Sequence, residues 1–200
     1  GCAGLPPVDP PSSTFAASTR CVTAGDLGSS WRPGCPVGPD QLRAVDATHW
    51  GYDGAVHTGR VIVAANRADG IVAVLQDLFD ARFPIERMEP VDRYGGDDHA
   101  SMVANNTSAF NCRTVSGTAR WSEHAYGQAM DVNPLVNPYV QGDTVDPPEG
   151  ADYADREPAD TPGMIHDGDA AVTAFARQGW QWGGYWTSGK DYQHFSTSVR

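Results

Sequence analysis

The sequence predicts an α+β protein: a single domain with a central antiparallel sheet flanked by helices. Three observations carry that expectation. The chain has 200 residues, enough for one domain with a true core, and its six Trp, seven Tyr and six Phe can fill it. β-Branched or alternating runs are interspersed with stretches of helical spacing. They do not follow a regular β-α-β order, which favours antiparallel pairing over a doubly wound parallel sheet.

Residues 1–40 are rich in Pro, Gly and Ser and poor in periodic apolar pattern, so they read as an N-terminal arm, stapled or wrapped onto the domain that fills 41–200. Residues 59–65 (GRVIVAA) form a β-branched run and predict a strand. In 66–82, Ile71, Val74, Leu75, Leu78 and Phe79 fall at helical spacing, with Asn66 or Asp69 as the expected cap and Pro84 as the stop. Strands are expected at 84–91 and 108–114, with a turn and short helix across 93–104 between them. Residues 129–132 (AMDV) predict a further strand before Asn133-Pro134. The acidic, Pro- and Gly-rich stretch 141–162 reads as a long surface loop. A helix over 169–178 ended by Gly179, and aromatic strands over 179–185 and 192–197, complete the set.

A net charge of −11 removes the cationic surface that a nucleic-acid partner would need, and is most simply a solubility feature. No run of about 18 apolar residues, the length of a membrane span, occurs. Cysteines stand at 2, 21, 35 and 112, and their spacing fits no cysteine-based zinc site. Cys21 and Cys35 enclose a short loop and are the favoured disulfide. Cys2–Cys112 is the alternative second pair, and a buried free thiol the competing reading of Cys112. Gly1-Cys2 followed by Pro and Ser also resembles the start of a mature bacterial lipoprotein, with lipid on Cys2. Either reading points outside the cytoplasm, to a secreted or envelope-associated protein.

Two clusters carry chemistry. One spans 122–131 (SEHAYGQAMD) and the other 191–195 (DYQHF). They offer two imidazoles and carboxylates on or near expected strands. Two His and one carboxylate form a common ligand set for catalytic zinc, which leaves a fourth position open. Asp191, three residues before His194, can face the same site and move a proton.

Ser122-x-His124-x-x-Gly127-x-Ala129-x-Asp131, followed by Asp191-x-x-His194-Phe195, resembles the M15 metallopeptidases. That group includes D-alanyl-D-alanine carboxypeptidases and dipeptidases and the L-alanyl-D-glutamate endopeptidases. Residues 105–113, Asp131-Val132-Asn133-Pro134, Gly179-Trp180 with Trp182-Gly183-Gly184, and 49–54 are similar to its carboxypeptidase-like branch. The resemblance implies a Hedgehog/DD-peptidase-like fold for the catalytic domain 41–200, with one Zn2+ held by His124, Asp131 and His194. It makes Asp191 the acid/base and Arg113 the group that polarises the scissile carbonyl. It places Ser122 beside the site, and Asp97 or Asp98 near the substrate cleft, where either could bind a substrate amine. His99 and His166 are left as non-ligands, and core packing is the default for most of Trp121, Trp182 and Trp186.

The function expected from this is zinc-dependent hydrolysis of peptidoglycan stem peptides by a monomer. The bond is D-Ala-D-Ala, with L-Ala-D-Glu as the alternative. A rival of another class is a non-catalytic, zinc-stabilised wall-binding module. A third reading gives the loop acids Asp143, Asp146, Glu149, Asp152 and Asp155 to calcium.

Overall fold

In the computed structural model, which describes residues 13–197, the longest paired elements are two nine-residue strands. The chain runs β1 (Ala17–Cys21), α1 (Ala24–Leu27), β2 (Leu42–Trp50), β3 (Val56–Ala64) and α2 (Ala68–Asp80). It continues through β4 (Arg87–Met88), α3 (Asp98–Val103), β5 (Asn106–Thr107), β6 (Ala129–Asp131), β7 (Tyr139–Gln141) and β8 (Thr144–Asp146). It ends with α4 (Ala170–Arg177), β9 (Gln181–Trp182), β10 (Lys190–Asp191) and β11 (His194–Ser196). This is an α+β mixture. The strands are divided, however, among three antiparallel sheets, β1-β2-β3, β10-β7-β8 and β6-β11-β9, plus a parallel pair β4-β5, and do not form one central sheet.

β2 went unread in the sequence because its pattern is mixed: Asp46, Thr48 and His49 are buried alongside Val45 and Ala47. Asp46 accepts from Arg60 Nε and Nη2 (2.5 and 3.0 Å) and pairs with Arg20 (3.1 Å), so the strand buries a charge with its partners supplied. β1, from the Pro-rich N-terminal region, pairs antiparallel along β2. The expected helical stripe is the one that packs: Ile71, Val74, Leu75 and Leu78 of α2 meet Val45, Val61 and Val63 of the sheet. Neither Asn66 nor Asp69 caps α2, which follows a 3-10 turn over Ala65–Arg67 and has no side-chain cap. Asp169 does cap α4, accepting from the Val172 N–H at 3.0 Å.

Four expected elements differ. The strand at 84–91 shrinks to β4, and the strand at 179–185 shrinks to β9, with a 3-10 turn over Gly183–Tyr185. The strand at 108–114 is not made, because its N–H groups go to separate partners: Ser108 to Asp131, Phe110 to Ile62, Asn111 to His124 and Cys112 to Ser30. The stretch thus threads between elements and pairs with none along its length. Within the expected loop 141–162, Gly142 at φ +58 allows a two-residue turn between β7 and β8, and a 3-10 helix spans Pro148–Ala154.

The favoured disulfide is also corrected. Cys35 is bonded to Cys112, 77 residues away, so neither Cys21–Cys35 nor Cys2–Cys112 forms and Cys112 is not a free thiol. Arg32 explains the choice: its guanidinium donates to the Cys112 carbonyl at 3.1 Å and lies over Trp121, which draws the 32–35 segment onto the chain before Arg113. Cys2, and with it the lipid-anchor reading, lies outside the described residues.

Phe175 of α4 stacks on Phe195 of β11 with ring centroids 3.9 Å apart, and both are fully buried. Phe175→Ala is expected to cost about 3–5 kcal/mol, from lost burial and the cavity left behind. Urea unfolding followed by tryptophan fluorescence measures it.

Candidate metal and active site

His124 sits in a 3-10 turn over Glu123–Tyr126. Ser122 opens the turn, its hydroxyl accepting from the His124 N–H at 3.2 Å. The His124 Nδ1–H donates to the Ala109 carbonyl at 2.7 Å, which leaves Nε2 as the lone-pair nitrogen. That nitrogen lies 3.2 Å from Asp131 Oδ2.

Asp131 and His194 come from different strands and stand directly opposite each other in the β6–β11 register. Their side chains therefore share one face, while the next pair, Met130 and Phe195, points into the core. His194 Nδ1 lies 3.4 Å from Asp131 Oδ1, and its Nε2 lies 3.2 Å from Glu123 Oε2. One donor atom from each of His124, Asp131 and His194 falls within 4.8 Å of the others, and all three residues are buried. The buried Asp131 Oδ1 makes no well-formed hydrogen bond, its contact with His194 Nδ1 being a 3.4 Å ion pair. Ligands at the usual zinc bond lengths stand about 3.3 Å apart in a tetrahedron, close to the two separations here. Two nitrogens and a carboxylate so arranged fit a divalent ion such as zinc.

The electrostatics agree with that fit. Burial opposes the Asp131 charge, but His124 and His194 outweigh it and hold the carboxyl far below the usual range. Burial likewise opposes a charged His194, yet Asp131 and Glu123 push it up to about 10. Glu123 is held low by His194 and Ser196 in spite of burial. Without metal, then, His194 carries a proton at neutral pH, and a cation must expel it. Apparent affinity for a divalent ion is therefore expected to strengthen as pH rises toward about 10 and to level off above it. Titration calorimetry in buffers of different ionisation enthalpy would report the proton released.

Asp191 closes the site from β10. A Cβ on Gly183 would come within 2.5 Å of the Asp191 carbonyl oxygen, so the bare glycine lets the chain carry Asp191 this close. Burial, reinforced by Asp131 and opposed by His194, pushes its carboxyl up to about 7. It interacts electrostatically with His194, Asp131, His124 and Arg113. Arg113 is about one-third exposed; its Nη2 lies 3.7 Å from Asp98 Oδ2, and its Nε is buried without an acceptor. Burial raises the Asp98 carboxyl against the pull of Arg113, and Asp98 also feels Asp131 and His124.

The residues expected together from the sequence thus converge: His124, Asp131, His194, Asp191, Arg113, Asp98 and Ser122. Asp97 does not join them, because its side chain caps α3 by accepting from the Ala100 N–H. His99 pairs with Glu149, and His166 contacts the Arg156 carbonyl. Trp182 is core, donating to the Tyr192 carbonyl, and Trp121 packs on a second core cluster; only Trp186, 5.2 Å from the His194 ring, borders the ligands. Among the described residues the loop acids form no metal-holding group. Sequence reading passed over Glu123. It occupies an unspecified place in the motif, and its link to His194 exists only once β11 is laid beside β6.

Two imidazoles and a carboxylate, buried beside a second carboxylate raised toward neutrality, are the outline of a metal-dependent hydrolase. Residues 116–197 match the family model described as D-alanyl-D-alanine carboxypeptidase, which supports an M15 peptidase. The matched segment includes the three ligand candidates and Asp191, and begins after Asp98 and Arg113. No curated protein and no solved structure matches the chain.

Proposed function

We propose that this protein is a zinc-dependent peptidase of peptidoglycan stem peptides, acting as a D-alanyl-D-alanine carboxypeptidase. The observation that carries the reading is the cross-strand pairing of His194 with Asp131 against His124, with the half-buried Asp191 beside them, its Oδ1 buried without a hydrogen-bond partner. Bound zinc would supply a Lewis acid for the scissile carbonyl and lower the pKa of water. Asp191, beside the ligands, takes the proton of the attacking water and returns it to the leaving amine. Arg113, with a donor lacking an acceptor, faces the negative charge that grows on the carbonyl oxygen. Asp98 steadies Arg113 and offers a carboxylate to a substrate ammonium. A monomer outside the cytoplasm suits this work, and the Cys35–Cys112 bond is compatible with that location.

Arg113→Ala is expected to lower kcat by about 10²–10³-fold with zinc content unchanged, as measured by steady-state turnover and metal analysis. The decisive experiment incubates the protein with muropeptides, with and without a chelator, and weighs the products by mass spectrometry. Loss of one alanine mass from a pentapeptide stem, abolished by chelation, is the expected result. Cleavage after L-Ala would move the activity to the endopeptidase alternative, and no metal-dependent cleavage at all would leave the wall-binding module as the reading.

A further inference from the structure

The two imidazoles at the site are held in opposite senses. His124 is fixed by backbone: its Nδ1–H is spent on the Ala109 carbonyl, so Nε2 faces Asp131. His194 is fixed by a side chain: its Nε2 meets Glu123 Oε2 at 3.2 Å, so Nδ1 faces Asp131. Glu123 is itself tied down, since the Ser196 hydroxyl also bonds to its carboxylate. Ser196 is two residues beyond His194 on β11 and so lies on the same face. Its partner in register is Ala129, whose small side chain leaves room for that bond.

We infer that Glu123 is a positioning residue for the metal centre, holding His194 in the Nε2–H tautomer so that it binds metal through Nδ1 while His124 binds through Nε2. The inference rests on the zinc reading above but concerns a residue outside the ligand set. An imidazole on a short strand can rotate about χ2 and offer either nitrogen. A carboxylate receiving Nε2–H removes that freedom before metal arrives and makes the ligating nitrogen more basic. Loss of such a partner generally weakens metal binding by about 10–100-fold.

The test uses the full chain stripped of metal and titrated with zinc against a chromophoric chelator. Glu123→Ala is expected to bind zinc about 10–100-fold more weakly. Glu123→Gln, whose amide oxygen still accepts from Nε2–H, is expected to recover most of that loss, which a purely structural role at the turn would not predict. Long-range ¹H–¹⁵N spectra of the zinc-loaded protein should show a protonated Nε2 on His194 and a protonated Nδ1 on His124. Should Glu123→Ala fail to fold, Ser196→Ala, which removes only one of the bonds to the carboxylate, is expected to weaken zinc binding in the same direction by a smaller factor. Wild-type zinc affinity in Glu123→Ala, or a protonated Nδ1 on zinc-bound His194, overturns the inference and leaves the peptidase reading intact. A wild-type protein that takes up no zinc overturns both.

Discussion

Asp191→Asn is expected to keep its zinc and lose about 10²–10⁴-fold in kcat, the span that a positioned general acid/base contributes. The amide is close in size to the carboxyl and fits the same place against Gly183, so β10 and its pairing with Tyr139 should persist. What changes is proton traffic. In the metal-free wild type, burial raises this carboxyl to about 7, and a carboxylate beside the ligands can accept a proton from water and release it to an amine within one turnover. An amide can do neither. Steady-state rates on a pentapeptide stem, with zinc measured on the same sample, check the prediction. Zinc lost together with activity would mean that Asp191 is a ligand, and a rate within a few-fold of wild type would mean that the acid/base lies elsewhere.

Asp131→Ala is expected to abolish zinc uptake and all turnover. Asp131 faces both imidazoles, at 3.2 and 3.4 Å, and is the sole carboxylate of the ligand group. Its removal also leaves His194 buried with a weaker counter-charge. Stripping one partner from a buried ion pair generally costs about 3–5 kcal/mol. The metal-free variant should therefore unfold at lower denaturant than the metal-free wild type, a comparison that separates loss of charge pairing from loss of metal. Equal midpoints would mean that His194 is neutral in the metal-free protein.

The convergence of His124, Asp131, His194 and Asp191 was legible because each lies in a short motif with a characteristic spacing, even though about sixty residues separate the two motifs in sequence. The stripe of α2 and the end of α4 before Gly179, at φ +83, were legible for the same kind of reason: periodicity and helix stops act within a few residues. What escaped was decided at long range. β2 hides because its buried Asp46 reads as solvent-facing until Arg20 and Arg60 are placed on neighbouring strands. Cys35 meets Cys112 through the docking of Arg32, which no loop length predicts. The stretch after Ser108 has the alternation of a strand but spends its N–H groups on several partners. Glu123 is an unspecified position of its motif until the register of β11 brings His194 to it.

That register has a further consequence. His194 opposes Asp131 and Phe195 opposes Met130, so one face of a three-residue strand carries chemistry while the other carries core. A shift of β11 by a single residue would exchange the two sets, turning an aromatic ring toward water and an imidazole into the apolar interior. No such misalignment could keep a metal. Zinc uptake therefore audits the assembly of the strand pair, and a chain that binds the ion has already put Phe195 against Phe175.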